Sequence, residues 1–147
     1  MLNRVKAFFL ALIVAALAGS GALAQDSSYN YGTVWEFSFI KTEPGQFENY
    51  MDWLNATWKK EQDVMKKDGF LVSYHVWAVN NPRNGEADLV LALEYKDYAP
   101  TAKRLELQKK IEAALQQDAH KMEAASGDRT KLRKQMGSTE AQELTFK

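Results

Sequence analysis

Hydrophobic positions along this chain recur with two different periods, and each change of period marks a boundary between predicted elements. In residues 33–41 (TVWEFSFIK) every second position carries an aromatic side chain, at Trp35, Phe37 and Phe39. A two-residue period places alternate side chains on opposite faces of an extended strand, and aromatic residues are common in strands. This segment is therefore predicted to be the first β-strand.

Three further segments predict strands. Residues 70–80 (FLVSYHVWAVN) and 87–96 (ADLVLALEYK) are rich in β-branched, aliphatic and aromatic residues. The turn-forming stretch at 81–85 (NPRNG) joins these two strands as a hairpin. Residues 141–147 (AQELTFK) predict a last strand. Its inward-facing side chains are predicted to be Leu144 and Phe146.

A period near 3.6 residues predicts a first helix over residues 47–67. It follows the break at Pro44-Gly45, and Gly69 is a natural stop because glycine readily adopts the left-handed conformation that ends helices. The hydrophobic stripe of this helix is predicted to contain Phe47, Tyr50, Met51, Leu54, Trp58 and Met65.

A second helix is predicted over residues 101–125, opening after Pro100. A shorter helix is predicted from Asp128, as its cap, to Met136, followed by a turn at Gly137-Ser138. The stripe of the second helix is predicted to contain Leu107, Ile111, Ala114, Leu115 and Met122.

The predicted order is strand, helix, strand, strand, helix, strand, which is the βαββαβ order of a ferredoxin-like α+β fold. Such a fold has an antiparallel sheet with two helices on one face. The bulkiest alternating residues are predicted to face the helices: Trp35, Phe37, Phe39, Val72, Tyr74, Val76, Leu89, Leu91 and Leu93. The other sheet face is then predicted to carry Val34, Glu36, Ser38, Ile40, Ser73, His75, Trp77, Val79, Val90, Ala92 and Glu94.

This second face mixes apolar and charged residues. It is too apolar for plain solvent surface, and it is too polar for a dry core, because burying an unpaired carboxylate is costly. A second copy of the chain, related by a two-fold axis, would cover it and leave a pocket between two sheets. A homodimer is therefore expected.

The N-terminal segment, residues 1–24, has the three parts of a secretory signal peptide. Arg4 and Lys6 precede an apolar run, and Ala22 and Ala24 are small residues that suit signal peptidase. The apolar run is shorter than the roughly 20 residues of a transmembrane helix, although an uncleaved anchor is the alternative. A periplasmic or secreted protein is expected, with a flexible leader at 25–32 and one domain at 33–147.

Composition narrows the function classes. The 147 residues contain 19 basic and 19 acidic side chains and no cysteine. A neutral chain does not favour nucleic acid as a partner, and no membrane association is expected after cleavage. The sequence has no phosphate-binding glycine loop, nucleophile elbow, HExxH motif or CxxC pair, so hydrolase, kinase, nucleotide-binding and zinc-protease functions lack support. No cofactor and no metal are predicted.

Candidate catalytic residues are His75, Glu36 and Glu94. His75 is either a proton shuttle or a metal or haem ligand in the pocket, or it is a structural histidine bonded to Glu36, Ser73 or the backbone. Glu36 and Glu94 lie on neighbouring predicted strands. If both face the pocket, repulsion and burial would raise the pKa of at least one and suit it to acid–base catalysis; otherwise they are solvated carboxylates.

Candidate ligand contacts are Trp77, Ser38 and Ser73, because all three are assigned to the mixed face. Aromatic residues in strands are nevertheless more often core or interface residues than ligand contacts. A basic cluster precedes Gly137. It is either an anion-binding surface or, as we expect, a solvated helix face. Its members are Arg129, Lys131, Arg133 and Lys134.

Over residues 31–147 the chain resembles the dimeric α+β-barrel superfamily, which includes antibiotic-biosynthesis-type monooxygenases, NIPSNAP-like and EthD-like proteins. It is most similar to small secreted bacterial members without an assigned function. The resemblance rests on the order of elements, on residues 44–47 (PGQF) and on residues 143–147 (ELTFK). It implies two sheets forming a barrel across a dimer, with ligands inside the barrel or between sheet and helices.

Three functions are therefore open. The first is a homodimer that binds a small, largely apolar molecule. The second is a cofactor-independent oxygenase or isomerase, in which His75 or a carboxylate moves a proton. The third is a structural or interaction protein whose mixed face is only an interface. One fold supports many functions, so the fold by itself does not select among them.

Overall fold

The structure of the protein is a computed structural model that describes residues 26–147. The predicted signal peptide at 1–24, together with Gln25, lies outside the described residues. The described strands are β1 (Tyr29–Thr42), β2 (Leu71–Ala78), β3 (Leu89–Tyr95) and β4 (Arg133–Phe146). The helices are α1 (Phe47–Trp53), α2 (Lys59–Asp68), α3 (Thr101–Leu115) and α4 (Ala119–Asp128).

The four strands form one antiparallel sheet in the order β2-β3-β1-β4. This confirms the predicted α+β class and the antiparallel sheet. The hairpin between β2 and β3 is also observed, with Val76 opposite Leu91. The order of elements along the chain is β-α-α-β-β-α-α-β, because both predicted helices are divided.

A π-helical segment, Leu54–Trp58, joins α1 to α2. Leu54 and Trp58 both lie in this segment and are buried, so the widened turn contributes to the core. The predicted end of the helix is confirmed to within one residue, since Gly69 adopts a φ of 82° after α2. The core cluster contains Ile40, Leu89 and Leu91 from the sheet and Tyr50, Leu54 and Trp58 from the helical side.

The second predicted helix is divided because Gln116 adopts a left-handed conformation, with a φ of 54°. Asp118 then caps α4 by accepting a hydrogen bond from the backbone N–H of Lys121 at 2.9 Å. An N-cap carboxylate satisfies a backbone donor that the helix itself leaves free. Within this region Leu107 is buried, whereas Ala114 is exposed.

The predicted helix from Asp128 to Met136 is wrong, as is the predicted turn at Gly137-Ser138. A short 3₁₀ turn, Arg129–Lys131, leads directly into β4. Gly137 lies inside the strand with a φ of 143°, next to a register shift opposite Phe39 and Ile40. A glycine that serves a β-bulge has the same local sequence features as one that serves a turn.

The beginning of β1 and the end of β4 also differ from prediction. β1 begins at Tyr29, which pairs with Phe146, so residues 29–32 belong to the strand rather than to a leader. Leu144 and Phe146 were predicted to face inward but are exposed, with 89% of Phe146 accessible. β4 is an edge strand, and no helix covers its end.

The predicted face of β1 is inverted. Ser38 pairs with Leu91 and Phe37 pairs with Ala92, so Ser38 shares the covered face with Leu91. Val34 and Ile40 are the buried residues of β1, at 1% and 2% exposure. The alternating residues Trp35, Phe37 and Phe39 therefore lie on the sheet face that none of the helices within residues 26–147 covers; we call it the uncovered face. The predicted faces of Tyr74, Val76 and Leu91 agree with the structure.

Candidate functional site

Four rings form a continuous array on the uncovered sheet face. We call this array, Trp35, Phe37, His75 and Trp77, the aromatic face. The ring centroids are 5.9 Å apart for Trp35 and Phe37, and 6.3 Å apart for Phe37 and Trp77. They are 5.5 Å apart for His75 and Trp77, and 6.1 Å for Trp35 and His75. Interplanar angles between 7° and 26° make every contact a near-parallel stack.

A small residue on the central strand brings these rings together. β3 lies between β1 and β2, and Ala92 pairs with Phe37 on one side and with His75 on the other. The Ala92 side chain is short enough for rings from the two neighbouring strands, β1 and β2, to meet above it. Ala92 is fully buried although no helix covers this face, so the surrounding rings shield it.

A shallow groove opens beside the aromatic face. It has a volume of about 280 Å³ and is lined by Trp35, Phe37, Trp77 and residues 141–143 of β4. The indole of Trp77 is 45% exposed. A groove with two indoles and a phenyl ring as walls suits a flat, apolar molecule, because aromatic rings offer large apolar contact areas.

Three predicted site residues form a hydrogen-bonded chain at the margin of the aromatic face. The hydroxyl of Ser73 donates to Glu94 Oε2 at 2.6 Å, and His75 Nε2 lies 3.2 Å from the same hydroxyl. Because the single hydroxyl hydrogen of Ser73 points to Glu94, the hydroxyl oxygen accepts the second hydrogen bond, which assigns His75 the tautomer with hydrogen on Nε2. This arrangement orients the imidazole but does not activate Ser73 as a nucleophile, since His75 does not receive its proton.

Glu36 lies on the opposite face from Glu94, because Trp35 and not Glu36 pairs with Glu94. The structure therefore does not bring the two predicted carboxylates together. Glu36 instead faces Tyr95 and Glu140 in a cavity of about 260 Å³, which Arg104 also lines.

Burial and the nearby Glu140 raise the pKa of Glu36, and a hydrogen bond from Tyr95 opposes that rise. Burial and the charge of Glu36 raise the pKa of Tyr95. The cavity thus holds a carboxyl group with a raised proton affinity beside a phenol that stays protonated. Sequence reasoning did not identify Tyr95, because it relied on the wrong face for β1.

Ser38 also lies on the covered face, away from Trp77 and Ser73. It lines a cavity of about 160 Å³ between the sheet and the helices. Arg129 and Arg133 enter the same cavity. The sequence pattern placed both arginines in a solvated cluster and gave no indication that they turn inward.

Within residues 26–147, no three or more side chains of the types His, Cys, Asp and Glu are grouped closely enough to hold a metal ion. None of the helices in this part of the chain is long and apolar enough to cross a membrane.

No family model, no curated protein and no solved structure matches this chain. The resemblance to the dimeric α+β-barrel superfamily therefore stays a prediction. The functional argument depends on the two sheet faces and their cavities.

Proposed function

We propose that this protein binds a small, flat, apolar molecule on the aromatic face, and that a second copy of the chain covers this face in a homodimer. The observation that carries the proposal is the array of four stacked rings on an uncovered sheet face. Contiguous apolar surface of this kind usually marks an interaction site on a soluble protein. A bound aromatic ring would extend the stack of rings, and the sheet of the second copy would shield the bound molecule from water.

The sheet topology supports the dimeric barrel that the sequence resemblance implies. If α1, the π segment and α2 count as one helical unit, and α3 and α4 as another, the chain has a βαββαβ order. The strand order β2-β3-β1-β4 fits a ferredoxin-like sheet with one face free for a partner. The hydrogen-bonded chain of His75, Ser73 and Glu94 would supply polar groups at the rim of the pocket.

Probe binding tests the ligand part of the proposal. N-phenyl-1-naphthylamine, an uncharged flat amine, is titrated into the purified protein while its fluorescence is recorded. We expect saturable binding that Trp77→Ala weakens at least about tenfold, because part of the groove wall is lost. The matched control is Leu105→Ala, which removes an exposed apolar side chain from α3. Equal binding by both variants would contradict the proposal.

Sedimentation velocity tests the dimer separately. The unmodified protein and Leu105→Asp are expected to sediment as dimers. Phe37→Asp is expected to be monomeric, because it puts a charge into the proposed interface between the two copies. A monomeric unmodified protein would show that no second copy covers the aromatic face. A dimer that binds no probe would favour the structural function over ligand binding.

We also propose export with cleavage after Ala24. The sequence pattern of residues 1–24 supports it. Mass spectrometry of protein recovered from a bacterial periplasm is expected to give a chain that starts at Gln25. A full-length chain in the membrane fraction would favour an uncleaved anchor.

A second candidate function is proton transfer by Glu36, as in a cofactor-independent oxygenase or isomerase. The raised pKa of Glu36 inside a cavity favours it, since a general base acts best when its pKa approaches the working pH. Carbon-13 NMR of labelled glutamate side chains measures this pKa. We expect a pKa above the ordinary value of 4.5 in the unmodified protein, and a smaller rise in Glu140→Gln because the neighbouring negative charge is removed. A Glu36 pKa that is not raised in the unmodified protein would remove the basis for this function.

A further inference from the structure

A recessed cavity on the covered face of the sheet is distinct from the aromatic face. It lies between β1, the α1–π segment and the beginning of β4, and has a volume of about 160 Å³. Apolar walls come from Ile40, Leu91 and Trp58, and a hydroxyl comes from Ser38. The lining is mostly polar, with a smaller apolar part.

Two arginines contribute to the polar part of the lining. The guanidinium carbon of Arg129 lies 4.6 Å from the ring centroid of Trp53, which is within cation–π distance. Arg133 lies beside Tyr50, whose side chain is buried. Each arginine thus has an aromatic neighbour, and Arg133 shares a hydrogen bond with the Tyr50 hydroxyl.

Neither guanidinium lies within ion-pair distance of a carboxylate in the described part of the chain, although Glu61 lines the same cavity. The Nε atoms of Arg129 and Arg133 are buried and receive no hydrogen-bond acceptor from residues 26–147. No salt bridge within that range includes either residue. Lys131, from the same sequence cluster, differs: it is exposed and bonds Asp128 at 2.8 Å. A buried donor without an acceptor is costly, and both of these Nε atoms belong to arginines that line the same cavity.

The net positive charge of the cavity lining also favours a bound anion. The lining contains two arginines and one carboxylate, Glu61. Burial, and then the charge of Arg133, lower the pKa of Arg129. Burial raises the pKa of Glu61, and Arg129 opposes that rise. The two like charges therefore repel each other in a partly desolvated space, and a bound anion would relieve that repulsion.

We propose that Arg129 and Arg133 bind the carboxylate of a small aliphatic acid in this cavity. Guanidinium groups match the planar geometry of a carboxylate and donate paired hydrogen bonds to it. The aliphatic part of the acid contacts Ile40, Leu91 and Trp58. The apolar part of the lining can contact the aliphatic chain of such an acid but offers nothing to inorganic phosphate, which has no apolar part. The site is independent of the ligand proposed for the aromatic face.

Isothermal titration calorimetry tests this site in the full exported chain, with sodium butyrate as the probe. Two control ligands separate charge from apolar contact. Butyramide has the carbon chain of butyrate without its charge, and inorganic phosphate has a charge without an apolar part. We expect butyrate to bind saturably, and butyramide and phosphate to bind at least about tenfold more weakly. Phosphate binding as tight as butyrate binding would overturn the assignment of a carboxylate ligand.

Three variants test the assignment of residues. Arg133→Gln is expected to weaken butyrate binding at least about tenfold. The control Lys134→Gln removes one exposed charge from the same cluster and should leave binding within about twofold. Equal weakening by both would indicate general charge attraction and overturn the site.

Glu61→Gln keeps both arginines and so remains informative even if an arginine variant fails to fold. Removing the one negative charge of the cavity is expected to tighten butyrate binding severalfold. Unchanged or weaker binding in this variant would overturn the proposal. Since the aromatic face is untouched, naphthylamine binding by Glu61→Gln is expected to be unchanged, which separates the two proposed sites.

Discussion

The two faces of the sheet use opposite kinds of side chain. On the covered face, β1 contributes Val34 and Ile40, which are almost fully buried beneath the helical side. On the uncovered face the same strand contributes Trp35 and Phe37, which stack with rings from β2. The largest apolar side chains of β1 therefore lie on the face that no described helix covers. The comparison shows that bulk alone does not identify the core-facing side of a strand.

Polar groups also differ between the faces. On the uncovered face, Glu94, Ser73 and His75 satisfy one another through hydrogen bonds. On the covered face, Glu36 and Arg129 are partly desolvated and their pKa values shift toward the neutral form, mainly through burial. The covered face thus contains the chemically perturbed groups, and the uncovered face contains the ordered apolar surface.

The largest effect is expected from truncating neighbouring residues on opposite faces of β3. Leu89→Ala should lower the free energy of unfolding by about 2–5 kcal/mol, because Leu89 is buried against the helical side. Val90→Ala should lower the free energy of unfolding by about 1 kcal/mol or less. Both variants are measured by urea unfolding at a protein concentration too low for a second copy to bind. Equal losses for the two variants would contradict the distinction between the faces.

The bulge in β4 shifts the pairing register between β1 and β4, and Gly137 lies at this bulge in an unusual backbone conformation. Gly137→Ala is expected to cost about 1–3 kcal/mol, because its φ of 143° strains any residue with a Cβ. No atom lies within 4 Å of the added carbon, so the effect would come from the backbone alone. Gly127→Ala, equally open but helical, is the control and should be neutral or slightly stabilising in thermal unfolding.

A polar contact between β1 and the start of β3 stabilises the sheet independently of either face. Asp88 accepts hydrogen bonds from Lys41 Nζ at 2.6 Å, the Thr42 backbone N–H at 2.8 Å and the Thr42 hydroxyl at 2.7 Å. Asp88→Asn is expected to cost about 1–2 kcal/mol at pH 7, measured by urea unfolding.

The pH dependence of that loss is also predicted. Burial would raise the pKa of Asp88, but the bonds from Lys41 and Thr42 outweigh it and lower the pKa below its ordinary value of 3.8. The stabilisation is therefore complete above pH 3.8 and is lost as the pH falls through the lower, folded-state pKa. The difference between the unmodified protein and Asp88→Asn should shrink in acid, and a constant difference would contradict this explanation.

The smallest effect on the free energy of unfolding is expected for a substitution of Glu36. Its pKa is raised by burial and by Glu140, so its protonated form favours folding. That contribution is complete below the ordinary pKa of 4.5 and is lost as the pH rises through the raised value. Glu36→Gln should remove this pH dependence of the unfolding free energy and stabilise the protein slightly at pH 7. A pH profile identical to that of the unmodified protein would contradict the assigned environment.

Much of the secondary structure could be predicted from local sequence. The strand periods, the hairpin turn and Gly69 at the end of α2 were all recognisable because they depend on residues close together in the chain. Of the site residues, His75, Ser73, Glu94 and Trp77 were predicted to share one sheet face, and they do. Glu36 and Ser38 were assigned to that same face, although they lie on the covered one.

The sequence by itself determined the α+β class and the positions of most elements, because periodicity and helix-ending residues act over a few neighbours. Only the tertiary structure decided which side of β1 faces the helices, since that depends on its register with β3 and β4 and a one-residue shift exchanges the faces. It also decided that Arg129 and Arg133 enter a cavity while Lys131 remains outside. Their direction depends on packing against Trp53 and Tyr50, which are far away in the sequence.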